Sequence, residues 1–190
     1  MRLFIALDID DAIQQRLDDY VRTLMPRLPG VRFVRSSTYH ITLHFLGEVA
    51  ASAPIAERLR QVNASSFPIT FSGVGFFPNA RAPRVFWAGM DAPALPALAR
   101  EVGHVMEAAG FMQEASFHPH LTLARSGSGR PRPLRGERPA AAFAQLPGIV
   151  ASSPVPEFGT MTARQFFLYE SKLSPSGPNY RKLESFDLAG

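Results

Sequence analysis

His40-Ile41-Thr42-Leu43 and His120-Leu121-Thr122-Leu123 are two copies of one pattern, starting 80 positions apart (120 − 40). Both lie in short apolar runs that read as β-strands. Along a strand, side chains at i and i+2 share a face and stand about 6–7 Å apart. Each copy therefore offers an imidazole and a hydroxyl side by side, with Ile41, Leu43, Leu121 and Leu123 turned to a core. Two such strands facing each other set two proton-transfer groups and two hydroxyl donors around one small ligand. That apparatus suits metal-free hydrolysis of a phosphate ester.

The division of labour follows from titration. Imidazole titrates near 6.5, so at neutral pH one ring can be neutral while another is protonated. A neutral ring takes a proton from attacking water, and a protonated ring gives one to the leaving oxygen; each role is worth about 10²–10⁴-fold in rate. The threonines are not acids or bases at that pH. Their hydroxyls donate to non-bridging phosphate oxygens and hold the phosphorus between the rings.

Phe45 and Arg125 occupy the same position after each histidine. Simple alternation puts both on the face opposite the histidines. A twist or strand end near Gly47 and Ser126-Gly127 would return them to the histidine face. Arg125 would then be a charged phosphate donor, since a buried unpaired arginine is costly, and Phe45 an aromatic platform for a base. His44 and His118 share a face with their motif partners by the same alternation and are candidates to line the cleft. His104 reads as a surface residue of a helix.

The elements that must position these groups follow from periodicity. The spacing predicts a strand over residues 2–8 and a helix over about 10–25, with Asp10 or Asp11 as cap and Gln14 placed for a capping box. Ile13, Leu17, Tyr20, Val21 and Leu24 form its apolar stripe. A short strand at 31–35, the first motif strand at 39–46, a helix at 53–63 and a strand at 67–75 complete the first half. The second half reads as a strand at 85–90, a helix at 93–109, the second motif strand at 116–124 and two further strands at 162–173 and 182–188. The order strand, helix, motif strand thus occurs once per half, with the short strand at 31–35 added in the first. The expected fold is α+β: a single bilobal, pseudo-symmetric domain over 1–190, with approximate halves 1–80 and 81–190. Two mainly antiparallel sheets carry outer helices and enclose a central cleft.

Composition sets the outer bounds. The 190 residues are 46% hydrophobic, and no apolar run reaches the roughly 18–20 residues needed to span a bilayer. The opening Met1–Leu7 is too short for the apolar part of a signal peptide, so the expected location is cytoplasmic, as a monomer without membrane contact. Absence of cysteine excludes disulfides, thiolate catalysis and cysteine-based metal sites. The net charge is +4, and 18 of the 20 basic residues are arginine, which favours polyanionic partners. Arg130, Arg132, Arg135 and Arg138 crowd the Pro/Gly-rich stretch 126–138. That stretch reads either as a solvated loop or as a basic flap for an RNA backbone.

At this point the chain resembles the two-histidine phosphoesterase superfamily, and within it the bacterial and archaeal RNA 2′,3′-cyclic phosphodiesterases, also called 2′-5′ RNA ligases. The resemblance rests on Phe4-Ile5-Ala6, His40 to Gly47, Pro83-Arg84-Val85-Phe86-Trp87, Pro119 to Arg125, Leu168-Tyr169-Glu170-Ser171 and Gly177-Pro178-Asn179-Tyr180. It implies a bilobal fold, no cofactor and no metal. It implies opening of a 2′,3′-cyclic phosphate at an RNA 3′ end to a 2′-phosphate, with reversible 2′-5′ ligation as an accompanying capacity. His40 would be general acid, His120 general base, and Thr42, Thr122 and Arg125 the phosphate ligands. Phe33 stands where relatives often carry tryptophan, a difference that bears on packing.

Three other functions remain open from sequence. His118-x-His120 resembles a strand metal pair, although no Asp or Glu lies in either motif strand to complete a site. An RNA- or nucleotide-binding module without turnover would keep the same cleft. A cyclic phosphodiesterase acting on another small nucleotide would keep the same chemistry.

Overall fold

The computed structural model describes residues 1–112, 117–126, 139–174 and 177–190. Arg130, Arg132, Arg135 and Arg138 lie outside the described residues. Among the described residues, eight strands form two four-stranded antiparallel sheets. One has the order β2-β1-β7-β8 and the other β5-β4-β3-β6. In the first, β1 is Arg2–Leu7, β2 Ile41–Glu48, β7 Gln165–Ser174 and β8 Gly177–Asp187. In the second, β3 is Phe67–Phe77, β4 Val85–Asp91, β5 Leu121–Arg125 and β6 Glu157–Ala163. The motif strands β2 and β5 are each an edge strand, next to the first strand of a β-α-β unit, so the sheets match position by position.

The sheets do not follow the sequence halves. β3 belongs with β4–β6, while β7 and β8 return to β1 and β2. A division near residue 80 is therefore corrected: the first sheet draws on both ends of the chain, and the second on its middle. Pairing to β1 outweighs proximity in sequence because Leu168 and Phe166 on β7 continue the buried face made by Leu3 and Ile5.

Among the described residues the α-helices are α1 Asp11–Leu24, α2 Ala53–Leu59, α3 Leu95–Glu107 and α4 Pro139–Ala151. In α1 the buried residues Ile13, Leu17, Val21 and Leu24 form one stripe, as the helical period requires. Asp10 precedes the helix without a side-chain cap hydrogen bond, so the expected capping box is not made there. In α3 the buried set is Leu95, Leu98, Ala99, Val102, Gly103 and Met106. One apolar core joins these helices to the inner faces of both sheets. No helix among the described residues is long and apolar enough to cross a membrane.

The expected strand at 31–35 is instead a single bridge, Phe33 to Ala124, reinforced by the Val34 amide donating to the Leu123 carbonyl at 2.7 Å. This bridge positions the site. The segment leading into the first motif is hydrogen-bonded to the second motif strand, which ties the two edges together across the cleft.

Candidate active site

Both motif strands carry a β-bulge at the same place. Ala6 pairs with Thr42 and Ile5 with His44, leaving Leu43 as the extra residue. On the other sheet, Trp87 pairs with Thr122 and Phe86 with Ala124, leaving Leu123 extra. A bulge reverses the alternation beyond it. Leu43 and His44 are therefore both buried in succession, as are Leu123 and Ala124. Phe45 and Arg125 return to the face that carries Thr42 and Thr122. Simple alternation, which sends them to the opposite face, is overturned at both positions by the same device.

The six residues singled out by the sequence, His40, Thr42, Phe45, His120, Thr122 and Arg125, line one cleft of ≈ 420 Å³ between the sheets. That is the size range of small-ligand sites. His44 does not join them. It lies opposite Ile5 and is only 5% exposed, so its expected place beside His40 is corrected: the bulge turns it into the core. His118 is exposed and absent from the cleft lining. What it contributes is its carbonyl.

The two imidazoles are held alike. His40 Nδ1 donates to the Thr38 carbonyl at 2.8 Å, and His120 Nδ1 to the His118 carbonyl at 2.7 Å. A carbonyl oxygen only accepts, so each Nδ1 carries the hydrogen, and in a neutral ring Nε2 then holds the lone pair. In each case the acceptor lies two residues upstream in the segment leading into the strand.

Their packing differs. The His40 ring lies 5.0 Å from Phe4 and 5.1 Å, edge-on, from Tyr180. Phe4 is stacked on Tyr169 at 5.1 Å. The Tyr169 hydroxyl donates to Asp8, which is also ion-paired to Lys182. Burial and the Asp8 carboxylate together push the Tyr169 phenol well above its ordinary range. On the other side, Phe77 meets His120 edge-on at 5.0 Å and lies 5.1 Å from Trp87.

Electrostatics act on His40 from several sides. Burial first of all lowers the pKa of His40, and the charges of Arg125 and His120 lower it too, while its hydrogen bond to Thr38 and the Asp8 carboxylate oppose the shift. Arg125 itself is exposed and reaches Thr122 Oγ1 at 3.4 Å. A single cation thus stands by the threonine of the second motif and is felt by the histidine of the first.

The family model described as LigT like Phosphoesterase matches residues 7–87 and 90–180. The chain belongs to the LigT-like phosphoesterase family. It is 37% identical over 190 residues to an RNA 2′,3′-cyclic phosphodiesterase of Archaeoglobus fulgidus, covering 98% of this chain and 100% of that one. To an RNA 2′,3′-cyclic phosphodiesterase of Thermotoga maritima it is 32% identical, over 100% of this chain and 97% of the other. Among solved structures, Escherichia coli LigT complexed with 3′-AMP superposes with a TM-score of 0.77 at 26% identity, over 100% of this chain and 98% of that one.

The cleft of this LigT-like phosphoesterase includes residues to which the motifs assign no task. Arg2, Leu3, Phe4, Ser171, Leu173, Pro178 and Tyr180 share the lining. Phe4 and Tyr180 reach His40 because β1 and β8 carry them on the cleft face of the first sheet. Their signal in sequence is an aromatic at the start and one near the end of the chain. Only the pairing of β7 with both β1 and β8 makes them neighbours.

Proposed function

We propose that this chain hydrolyses the terminal 2′,3′-cyclic phosphate of RNA to a 2′-phosphomonoester. Two independent lines support this: the activity named for relatives that align along the whole chain, and the chemistry of the cleft. The observation that carries the most is the matched anchoring of His40 and His120, each with Nδ1 committed to a backbone carbonyl. Proton exchange with substrate then falls to Nε2 in each ring.

In the proposed reaction His120 Nε2 takes a proton from water as the water oxygen bonds to phosphorus. His40, protonated, gives its Nε2 hydrogen to O3′ as the P–O3′ bond breaks. The products are a 2′-phosphate and a free 3′-hydroxyl, and exchange with solvent resets the two rings. Thr42 and Thr122 donate hydroxyl hydrogens to the non-bridging oxygens, and Arg125 supplies the charge-assisted contact. Phe45, 53% exposed at the cleft, offers its face to the base. An RNA 5′-hydroxyl in place of water yields a 2′-5′ linkage by the same two transfers.

Burial is the first cause of the lowered pKa of His40, and the Arg125 charge adds to it. A bound phosphate offsets the Arg125 charge and favours the imidazolium, so His40 becomes a competent acid when substrate arrives. The test is incubation with a 2′,3′-cyclic nucleotide in EDTA, with product regiochemistry read by phosphorus NMR. A 2′-phosphate is expected. A 3′-phosphate reverses the assignment of the leaving oxygen, and no turnover overturns the proposal.

A further inference from the structure

The reaction uses one cation of the cleft, Arg125, but the lining holds a second, Arg2. Its row across the first sheet runs Glu48, Arg2, Ser171, Tyr180. Glu48 is the only carboxylate in that row, and it lies 3.4 Å from the Met1 ammonium. Among the described residues Arg2 makes no ion pair and no side-chain hydrogen bond. Arg35 is already held, donating to the Pro178 carbonyl at 2.7 Å and to Asn179 Oδ1 at 2.9 Å. Burial raises the pKa of the Tyr180 phenol, while the charges of Arg125, Arg2 and Arg35 all oppose that shift. Positive potential therefore gathers at Tyr180, between the two ends of the cleft.

The rows of the sheet have an order that matches a nucleotide chain. Thr42 pairs with Ala6, then Phe45 with Phe4, then Arg2 with Ser171. Successive rows on one face are about 6–7 Å apart. Phosphate ligands come first, aromatic surface second, and a guanidinium flanked by a seryl and a phenolic hydroxyl third. A terminal nucleotide held with its phosphate at Thr42 and its base at Phe45 directs its 5′ oxygen toward the third row. The groups waiting there are donors, with Glu48 turned to the chain terminus.

We infer that Arg2, with Ser171 and Tyr180, forms a subsite for the phosphodiester on the 5′ side of the terminal nucleotide, so that the cleft prefers a chain of two or more nucleotides to a mononucleotide. The inference rests on the proposed reaction for the placement of the terminal phosphate. Leu173, 77% exposed on the same rim, gives the second nucleoside an apolar surface beside that contact.

The experiment compares kcat/KM for adenylyl-adenosine 2′,3′-cyclic phosphate with that for adenosine 2′,3′-cyclic phosphate, in wild type and in Arg2→Gln. Wild type is expected to favour the dinucleotide about tenfold, the size of one charge-assisted contact, with the preference shrinking as salt rises. Arg2→Gln is expected to bring the ratio close to one. A dinucleotide with a neutral methylphosphonate linkage should do the same in wild type, with no further loss in Arg2→Gln. A wild-type ratio near one, or a ratio that Arg2→Gln leaves intact, overturns the subsite. If neither substrate turns over, the proposed reaction falls. Affinity for the dinucleotide ending in a 2′-phosphate then decides the subsite by itself: a several-fold loss in Arg2→Gln supports it, and equal affinity overturns it.

Discussion

The two motif strands share a backbone and differ in what surrounds it. In β2 and β5 the bulge falls on the leucine of the motif, and the histidine is tied through Nδ1 to a carbonyl two residues upstream. Beyond the bulge, one strand presents Phe45 and the other Arg125. His40 sits against Phe4 and Tyr180, and His120 against Phe77. The symmetric part fixes where two imidazoles and two hydroxyls stand. The asymmetric part, with Arg125 at the second motif and Phe45 at the first, is where the proposed assignment of acid and base finds its physical basis. A reaction that needs one acid and one base gains from that asymmetry, because it biases which of two interacting rings carries the shared proton.

The sharpest way to break the comparison is to remove either ring. His40→Ala and His120→Ala are each expected to lower kcat by about 10²–10⁴-fold. If one of them retains wild-type turnover, the cleft works through a single histidine and the symmetry is architectural only. Charge changes around His40 have a smaller and more specific effect. Arg125→Gln removes a cation that lowers the pKa of His40, so that pKa rises. Asp8→Asn removes a carboxylate that raises it, so that pKa falls. The limb of the kcat/KM–pH profile set by His40 should therefore move to higher pH in the first variant and to lower pH in the second. Loss of activity above the His40 pKa marks it as the acid, so the alkaline limb is the one expected to move. Opposed movement of the acidic limb would exchange the roles of the two histidines.

How much of this was legible in sequence follows from the range of each interaction. The stripe of α1 and the strands β1 and β4 are local patterns, and each stands where its period places it; the motif strands begin one residue after each histidine, β5 at Leu121 and not at 116. The bulges at Leu43 and Leu123 are not local, because an extra residue is defined only against a partner strand. Alternation therefore failed at His44 and left Phe45 and Arg125 undecided. Helix α4, PAAAFAQLPGIVA, is apolar around much of its circumference and contains Pro147, so no stripe announces it. The segment 162–173 reads as one strand, whereas the chain breaks at Arg164 and passes from β6 in one sheet to β7 in the other. That exchange of sheets also defeats a division into halves, since nothing within β3 records which β-strand it will join.

The support behind His120 offers a finer test of the asymmetry. Gly75 pairs directly with Trp87 across β3 and β4, and a Cβ at residue 75 would come within 2.2 Å of the Trp87 ring. The indole therefore lies over the bare glycine, and Phe77 sits between it and His120. In Gly75→Ala the indole must move, at a cost of about 1–3 kcal/mol for overpacking, and the displacement passes through Phe77 to the ring of His120. Thermal unfolding should register the loss, and kcat should fall several-fold, well short of the loss in His120→Ala. Phe4 and Tyr169, which back His40, lie on the other sheet and do not touch Trp87, so the limb of the pH profile set by His40 should stay where it is. A shift in that limb would mean that the two rings are mechanically joined through the cleft, and that their difference is held in common by both walls.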